Sequence, residues 1–209
     1  FGFPIQWIPK NPRWQNYVDI WTQIPLLTFV KNTVKITVVV TLLQLFTSSF
    51  AAYAFAKMQF KGKNALFLGY IATIAVPWQA YMVPQFMMMS SWHLNNTHLA
   101  IMCLQAFSAF GVFLMKQFYE GVPTELCEAA RIDGLSEYGI WWHIMLPLSL
   151  PALSTLTIFT FVNTWNDFLG PLIYLTKTEL KTIQIGLRMF ITQYSAEYGL
   201  IMAASVVAL

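Results

Sequence analysis

The chain has 209 residues, of which 57% are hydrophobic, 16% aromatic and only 10% charged, and its mean hydropathy is +0.55. That balance lies well away from soluble domains and points to a protein whose solvent is lipid. The formal charge of +3 is small and the twelve basic residues are scattered over loops and the ends of apolar runs, which argues against a nucleic-acid patch.

No methionine precedes Phe1 and no signal peptide is visible. Apolar runs cover residues 36–56, 65–89, 99–118 and 148–175, and a fifth starts near residue 200 and stops after ten positions. A spanning helix needs roughly 20 residues to cross a core of about 30 Å. The reading is four complete spans and part of a fifth, in a single transmembrane domain over 1–209 that is cut at both ends. Helices are preferred to a barrel because the runs lack period-2 alternation and lipid forbids open backbone. The fold class is therefore all-α, a polytopic membrane helical bundle.

Two runs are interrupted. Residues 65–89 carry Pro77-Trp78-Gln79 and then Pro84-Gln85; proline removes a backbone donor and kinks a helix, and a packed kink is favoured over a pathway role. Residues 148–175 contain Asn163-Thr164-Trp165-Asn166-Asp167 and then Gly170-Pro171. Asp167 is the only acid inside an apolar run, so it should face a bundle interior, water or an interface. Structural capping and pathway lining both remain open for it, and Asn163, Trp165, Asn166 and Asp167 are the candidate pathway residues.

If each run crosses once, residues 57–64 and 120–147 share one side of the membrane, and the remaining connections share the other. The positive-inside rule does not choose between them. Lys57, Lys61, Lys63, Lys116 and Arg131 lie on the first side, against Lys10, Arg13, Lys31, Lys177, Lys181 and Arg188 on the second. Only the three lysines packed into residues 57–64 favour the first side as cytoplasmic.

The segment 120–147 is different in kind. It holds Glu120, Glu125, Glu128, Asp133 and Glu137, five of the nine acids, and reads as a solvated or partner-facing loop. Pro123 and Thr124 predict a helix start with Thr124 as cap and Glu125 in the first turn, and Gly134 predicts a left-handed end. Leu126, Ala129 and Ala130 form a small apolar face, and Glu128 can pair with Arg131. An ordinary interfacial helix anchored by Trp141, Trp142 and His143 is the plain alternative.

Taken whole, Glu128-Ala129-Ala130, Gly134, Ile144 and Leu146-Pro147 resemble the EAA loop of ABC-importer permeases, with every fixed position filled. The likeness continues through Pro123 to Gly134, Trp165-Asn166-Asp167-Phe168-Leu169-x-Pro171-Leu172, Gly186-Leu187 and Tyr198-Gly199-x-x-Met202-Ala203-Ala204, and more loosely through Asn16-Tyr17 and Asn32-Thr33. The chain is thereby similar to the carbohydrate-uptake type 1 permeases, in particular the smaller membrane subunit of maltose-type importers.

The resemblance implies six spans with a cytoplasmic coupling loop at 120–147, in a bacterial or archaeal cytoplasmic membrane. It implies a second homologous permease, an ATP-binding subunit dimer, an extracytoplasmic solute-binding protein and a sugar or polyol cargo. Glu128, Ala129, Ala130, Gly134, Ile144, Leu146 and Pro147 would be the residues that couple to the ATPase by shape and charge. No cofactor belongs to this chain on that reading, since ATP and Mg would sit in the partner.

The residues agree with that division of labour. No phosphate-cradling G-x-x-x-x-G-K-[ST] is present, and Gly62-Lys63 lacks the flanking residues. His93, His98 and His143 are scattered, which disfavours a metal site, and Met87-Met88-Met89 at a run end reads as packing. Ser108 and Ser154 have no histidine or lysine within a helical turn to make a nucleophile. Cys103 and Cys127 read as free thiols. The alternative is a secondary transporter or channel without an ATPase, although such carriers often show several paired mid-membrane charges. Trp78, Tyr81, Phe107, Phe110, Trp165 and Tyr174 could stack on sugar rings, but interface anchoring accounts equally for aromatics at span ends.

Overall fold

The computed structural model describes residues 13–190 and 198–208; the readings placed on Lys10 and on the two chain ends lie outside them. Every regular element among the described residues is helical. After α1 (Asn16–Gln23), α2 (Leu26–Lys57) forms a single 32-residue helix, about 48 Å long at 1.5 Å per residue. It contains neither proline nor glycine, and Pro25 immediately precedes it, so nothing in its interior removes a backbone bond.

The next apolar run is not one helix. α3 (Lys63–Ala72) and α4 (Met82–Ser91) are joined by two 3-10 turns, Thr73–Ala75 and Trp78–Ala80. Pro77 lacks a donor and its predecessor Val76 is extended, as the residue before a proline tends to be. Pro84 is tolerated because it sits in the first turn of α4. The run 99–118 is also split, into α5 (His98–Leu104) and α6 (Ala109–Glu120), which meet at 42°. No proline causes that break; Ser108 starts α6 by accepting a hydrogen bond from Gly111 N at 3.0 Å.

α7 (Thr124–Ile132) and α8 (Glu137–Ile140) follow, then a π turn at Trp141–Met145, α9 (Leu146–Leu148) and α10 (Leu150–Trp165). The helical path turns by 79° at Ser149, between Pro147 and Pro151, which both lack the N–H a continuous helix would use. The last run is broken as well, and α11 (Leu169–Tyr174) begins after Asn166-Asp167-Phe168. A 3-10 turn (Thr178–Leu180), α12 (Ile183–Met189) and α13 (Tyr198–Ala208) complete the described chain. Four uninterrupted complete spans are therefore not what the described residues form. Among the described residues only Leu26–Lys57 is long and apolar enough to cross a membrane alone; the pairs His98–Leu104 with Ala109–Glu120 and Glu137–Leu148 with Leu150–Trp165 reach that length as bent units.

α2 is the spine against which α6 and α10 pack most extensively. Close approach of α2 and α6 depends on small residues: a Cβ on Gly111 would collide with the Ser48 hydroxyl and meet Leu156 Cδ1 at 3.3 Å. Three apolar clusters divide the length of α2. The first joins Ala52 and Tyr53 to Met115, Cys127, Trp141 and Leu156. The second gathers Ile20, Leu26, Ile183 and Ala204 around its start, and the third joins Ile36 and Val40 to Met89, Ile101 and Tyr174 near its middle.

Candidate functional site

Two constructions stand out, one at each end of the first cluster. At the C-terminal end of α2, the 124–148 segment folds onto the helix ends. α7 buries Cys127 and Ala130, three residues apart and so on one face. Burial pushes the Cys127 thiol above its usual range. The opposite face is open: Glu125, Glu128 and Ala129 are exposed, and Ile132 is 86% exposed. The apolar face expected from Leu126, Ala129 and Ala130 is thus only partly buried: Ala130 is covered, whereas Ala129 is exposed and Leu126 is 44% exposed.

Three further local expectations change. α7 begins at Thr124 with Pro123 as its cap residue and no side-chain cap bond; the Thr124 hydroxyl instead lies 3.5 Å from Lys57 Nζ, which also donates to Val122 O. Arg131 pairs not with Glu128 but with Glu137, Nε to Oε1 at 2.6 Å and one terminal nitrogen to Oε2 at 3.2 Å. Trp141 is no interfacial anchor: it is fully buried with Phe46 and Phe50 edge-on against it, while Trp142 and His143 are exposed.

Gly134 ends α7 as expected, in the left-handed region at φ 85°. Leu135 N donates to Ala130 O and Gly134 N to Arg131 O, at 3.0 and 3.1 Å, the paired bonds that close a helix around a glycine. Nothing lies within 4 Å of where its Cβ would be, so backbone conformation alone asks for glycine here.

Glu137 ties this segment to the bundle. Its Oε2 also accepts a hydrogen bond from the Tyr53 hydroxyl of α2. The Arg131 guanidinium, and secondarily the Tyr53 hydroxyl, hold the Glu137 carboxyl below the usual glutamate range. Ile144 is half-buried against the first cluster with Leu146, whereas Pro147 is exposed at the approach to the 79° bend. At the bend, Ser149 donates to Leu146 O at 2.8 Å and its Oγ lies 3.3 Å from the Tyr119 hydroxyl.

The second construction sits where two broken helices meet. The α5–α6 break frees the carbonyls of Gln105 and Ala106, and α2 satisfies both: Gln44 Nε2 donates to Gln105 O and Thr47 Oγ1 to Ala106 O, each at 2.7 Å. Gln105 Nε2 donates to Asp167 Oδ2 at 2.7 Å, and Asp167 Oδ1 accepts from Gly170 N at 3.1 Å, capping α11. Thr160 donates to Gln44 Oε1 at 3.0 Å. A cavity of 510 Å³ opens beside this polar layer.

Asn163 and Asp167 line the cavity, while Trp165 and Asn166 do not. Trp165 Nε1 donates to Ala208 O, and Asn166 accepts from Gln184. Trp78, Tyr81, Phe107, Phe110 and Tyr174, five of the six aromatics singled out in the sequence, line it. Gln85, part of the Pro84-Gln85 interruption for which a packed kink was favoured over a pathway role, also lines it; Gln44 and Gln105 were missed, a glutamine inside an apolar run being their only sequence signal. Among the described residues no three histidine, cysteine or acidic side chains gather to hold a metal, and both cysteines are free.

Residues 17–209 match the family model of the binding-protein-dependent transport system inner membrane component. The arabinooligosaccharides transport system permease protein AraQ of Halalkalibacterium halodurans is 36% identical, over all of this chain and 75% of its own length. The lactose transport system permease protein LacG of Rhizobium radiobacter is 35% identical over 92% of this chain and 71% of its own. In fold the chain is similar to a chain in the crystal structure of a bacterial ABC transporter involved in the import of the acidic polysaccharide alginate, with TM-score 0.86, 23% identity and coverage of 96% and 76%. These relatives are transport components rather than enzymes, and they agree with the resemblance to carbohydrate-uptake type 1 permeases carried by the motifs. The chain belongs to the family of binding-protein-dependent transport system inner membrane components.

Proposed function

We propose that this chain is a membrane-spanning subunit of an ABC importer that moves a sugar into the cytoplasm, with ATP and Mg bound by a separate subunit. The observation that carries this reading is the two-faced α7. Its inner face, Cys127 and Ala130, is locked into the bundle, and its outer face presents Ile132 between Glu128 and Asp133. An isoleucine 86% exposed, with Asp133 next to it in the chain and Glu128 one helical turn before it, suits a pocket on a soluble partner better than lipid. Ala129 has no bulk to hold that partner off.

On this reading 120–147 is the cytoplasmic coupling loop, and the bent pairs count as spans together with residues whose ends lie elsewhere in the family's six-span plan. An ATP-binding dimer grips α7, and a second, homologous permease and lipid cover the exposed apolar flank of α10, where Leu150, Ile158 and Phe159 project. The site is the cytoplasmic membrane of a bacterium or archaeon, with a solute-binding protein delivering cargo on the far side. Movement of α7 would pass through Glu137 to Tyr53 and so into α2, the longest rigid element. A carrier without an ATPase is disfavoured, because the sugar-transport relatives AraQ and LacG are permease subunits of transport systems.

Co-purification tests the reading. The chain should isolate with an ATPase stimulated by a sugar-loaded binding protein, and Glu128→Lys or Gly134→Asp should abolish stimulation while membrane insertion is kept. Normal assembly and stimulation in both variants would remove α7 from the coupling role.

A further inference from the structure

We propose that α1 is a lipid anchor, a helix lying in the headgroup layer of the outer leaflet with Trp14, Tyr17 and Trp21 turned to phospholipid. Only the choice of leaflet rests on the permease reading above.

α1 presents three faces. Successive residues turn by about 100° around a helix, so Tyr17, Val18 and Trp21 share one arc, and the Trp14 ring, just before the helix, stacks on Tyr17 at 6.2 Å between centroids. All four side chains are exposed, Trp14 by 72%. Asn16 and Ile20 form the second arc. Ile20 is fully buried with Leu26, Ile183 and Ala204, and a Cβ on Gly199 would meet the Asn16 amide at 2.7 Å. Gln15, Asp19 and Thr22 form the third and are tied to one another, Gln15 Nε2 donating to Asp19 Oδ1 at 3.1 Å and Thr22 Oγ1 to Asp19 O at 3.0 Å. The bundle takes one arc, and the other two part into apolar and polar, the division of a helix lying between lipid and water.

The apolar arc is made of the residues that choose such a boundary. Tryptophan and tyrosine join an apolar ring to a polar tip and concentrate where hydrocarbon meets headgroup. The indole N–H groups of Trp14 and Trp21 and the Tyr17 hydroxyl have no hydrogen-bond partner among the described residues, which leaves them open to phosphate and ester oxygens.

Depth agrees with chemistry. Tyr53 meets the charged pair Glu137 and Arg131, which places it at the cytoplasmic edge of the hydrocarbon. A core of about 30 Å takes about 20 residues, and counting those back along α2 puts the opposite edge near Thr33. The open side of α2 changes character at the same level: Lys31 and Lys35 are exposed, whereas from Val38 to Phe50 every exposed side chain is apolar. Lysines at a span end send their ammonium groups to the headgroups. From Thr33 to Leu26, where α2 starts, is about 10 Å along the axis, against a headgroup layer of about 5–7 Å on each side. α1 is joined to Leu26 by Ile24 and Pro25 alone, so it lies at the top of that layer, within reach of it through its ring side chains. A soluble protein seated on the same rings is the competing occupant, and the depth of α1 with its separate polar arc favours lipid.

The test uses the assembled transporter in nanodiscs, with Cys103→Ser removing the exposed thiol while Cys127 stays buried. An environment-sensitive dye is attached through Val18→Cys on the apolar arc or Thr22→Cys on the polar one, both exposed positions. Nitroxides on the lipid headgroup or high on the acyl chain should quench the Val18 dye, and iodide in the buffer should quench the Thr22 dye. Trp14→Ser with Trp21→Ser should lose most of the lipid quenching at Val18. Equal iodide quenching at both positions, shielding of the Val18 dye only when the solute-binding protein is added, or unchanged lipid quenching in the double serine variant overturns the anchor. None of these outcomes touches ATPase co-purification, on which the permease reading stands or falls separately.

Discussion

Tyr53 and Glu137 are 84 positions apart, and the hydroxyl of the first donates to the carboxylate of the second. The bond crosses from the longest helix of the bundle to the short segment that carries α7. Because Arg131 grips the same carboxylate from α7, one side chain joins the exposed helix to the spine. Hydrogen bonds to charged groups are stronger than neutral ones and hold geometry more firmly.

Removing either donor should loosen α7 without unfolding the bundle. Tyr53→Phe is expected to cost about 1.5 kcal/mol, the low end for a bond to a charged group, because the Glu137 side chain is 39% exposed. Hydrogen exchange across residues 124–148 should speed up while exchange in α2 does not. An unchanged exchange pattern would mean that the loop is held by the apolar contacts of Cys127 and Trp141 alone.

The same contact predicts a pH dependence of one sign. Arg131 first, and Tyr53 second, lower the Glu137 pKa in the fold. Their contribution is therefore complete above the ordinary glutamate value of about 4.3 and is lost as pH falls below it towards the lower folded value. Protection of residues 124–148, corrected for intrinsic exchange, should drop over that acid window. Arg131→Ala should flatten the drop, and a variant profile identical to wild type would refute the assignment.

Packing of α2 against α6 makes a third prediction. Gly111→Ala pushes a methyl into Ser48, whose Cβ would lie 3.1 Å away, and overpacking of this kind costs about 1–3 kcal/mol. Ser48→Ala in the same chain should recover part of the loss, since it removes the nearest atom, a buried hydroxyl with no partner of its own. Thermal melting of the purified assembly reads both. Equal melting of Gly111→Ala and wild type would show that the helices can separate freely.

Much of this protein was legible one residue at a time. The helical, lipid-solvated class followed from composition, and the left-handed end of α7 followed from Gly134, because a positive φ is a local demand that glycine meets best. Pro77 announced a break in 65–89 for the same local reason, though not that the helix would give way to two 3-10 turns. The break at 105–108 carries no proline and was read through; it persists because Gln44 and Thr47, about sixty positions earlier, take up the freed carbonyls. Glu128→Arg131 pairing was a sound helical expectation, and Arg131 turned to Glu137 because the turn at Gly134 brings a second carboxylate into reach.

The sequence by itself determined the class, the family and the segment most unlike the rest, since apolar run length, turn residues and an ordered motif are all properties of neighbours along the chain. Only the tertiary structure decided which face of α7 is open, that Glu137 anchors it to Tyr53, and that Asn163, Gln85 and Asp167 surround one cavity. Those relationships join residues of different helices, and the direction a side chain takes around a helix is fixed by what the other helices leave unoccupied.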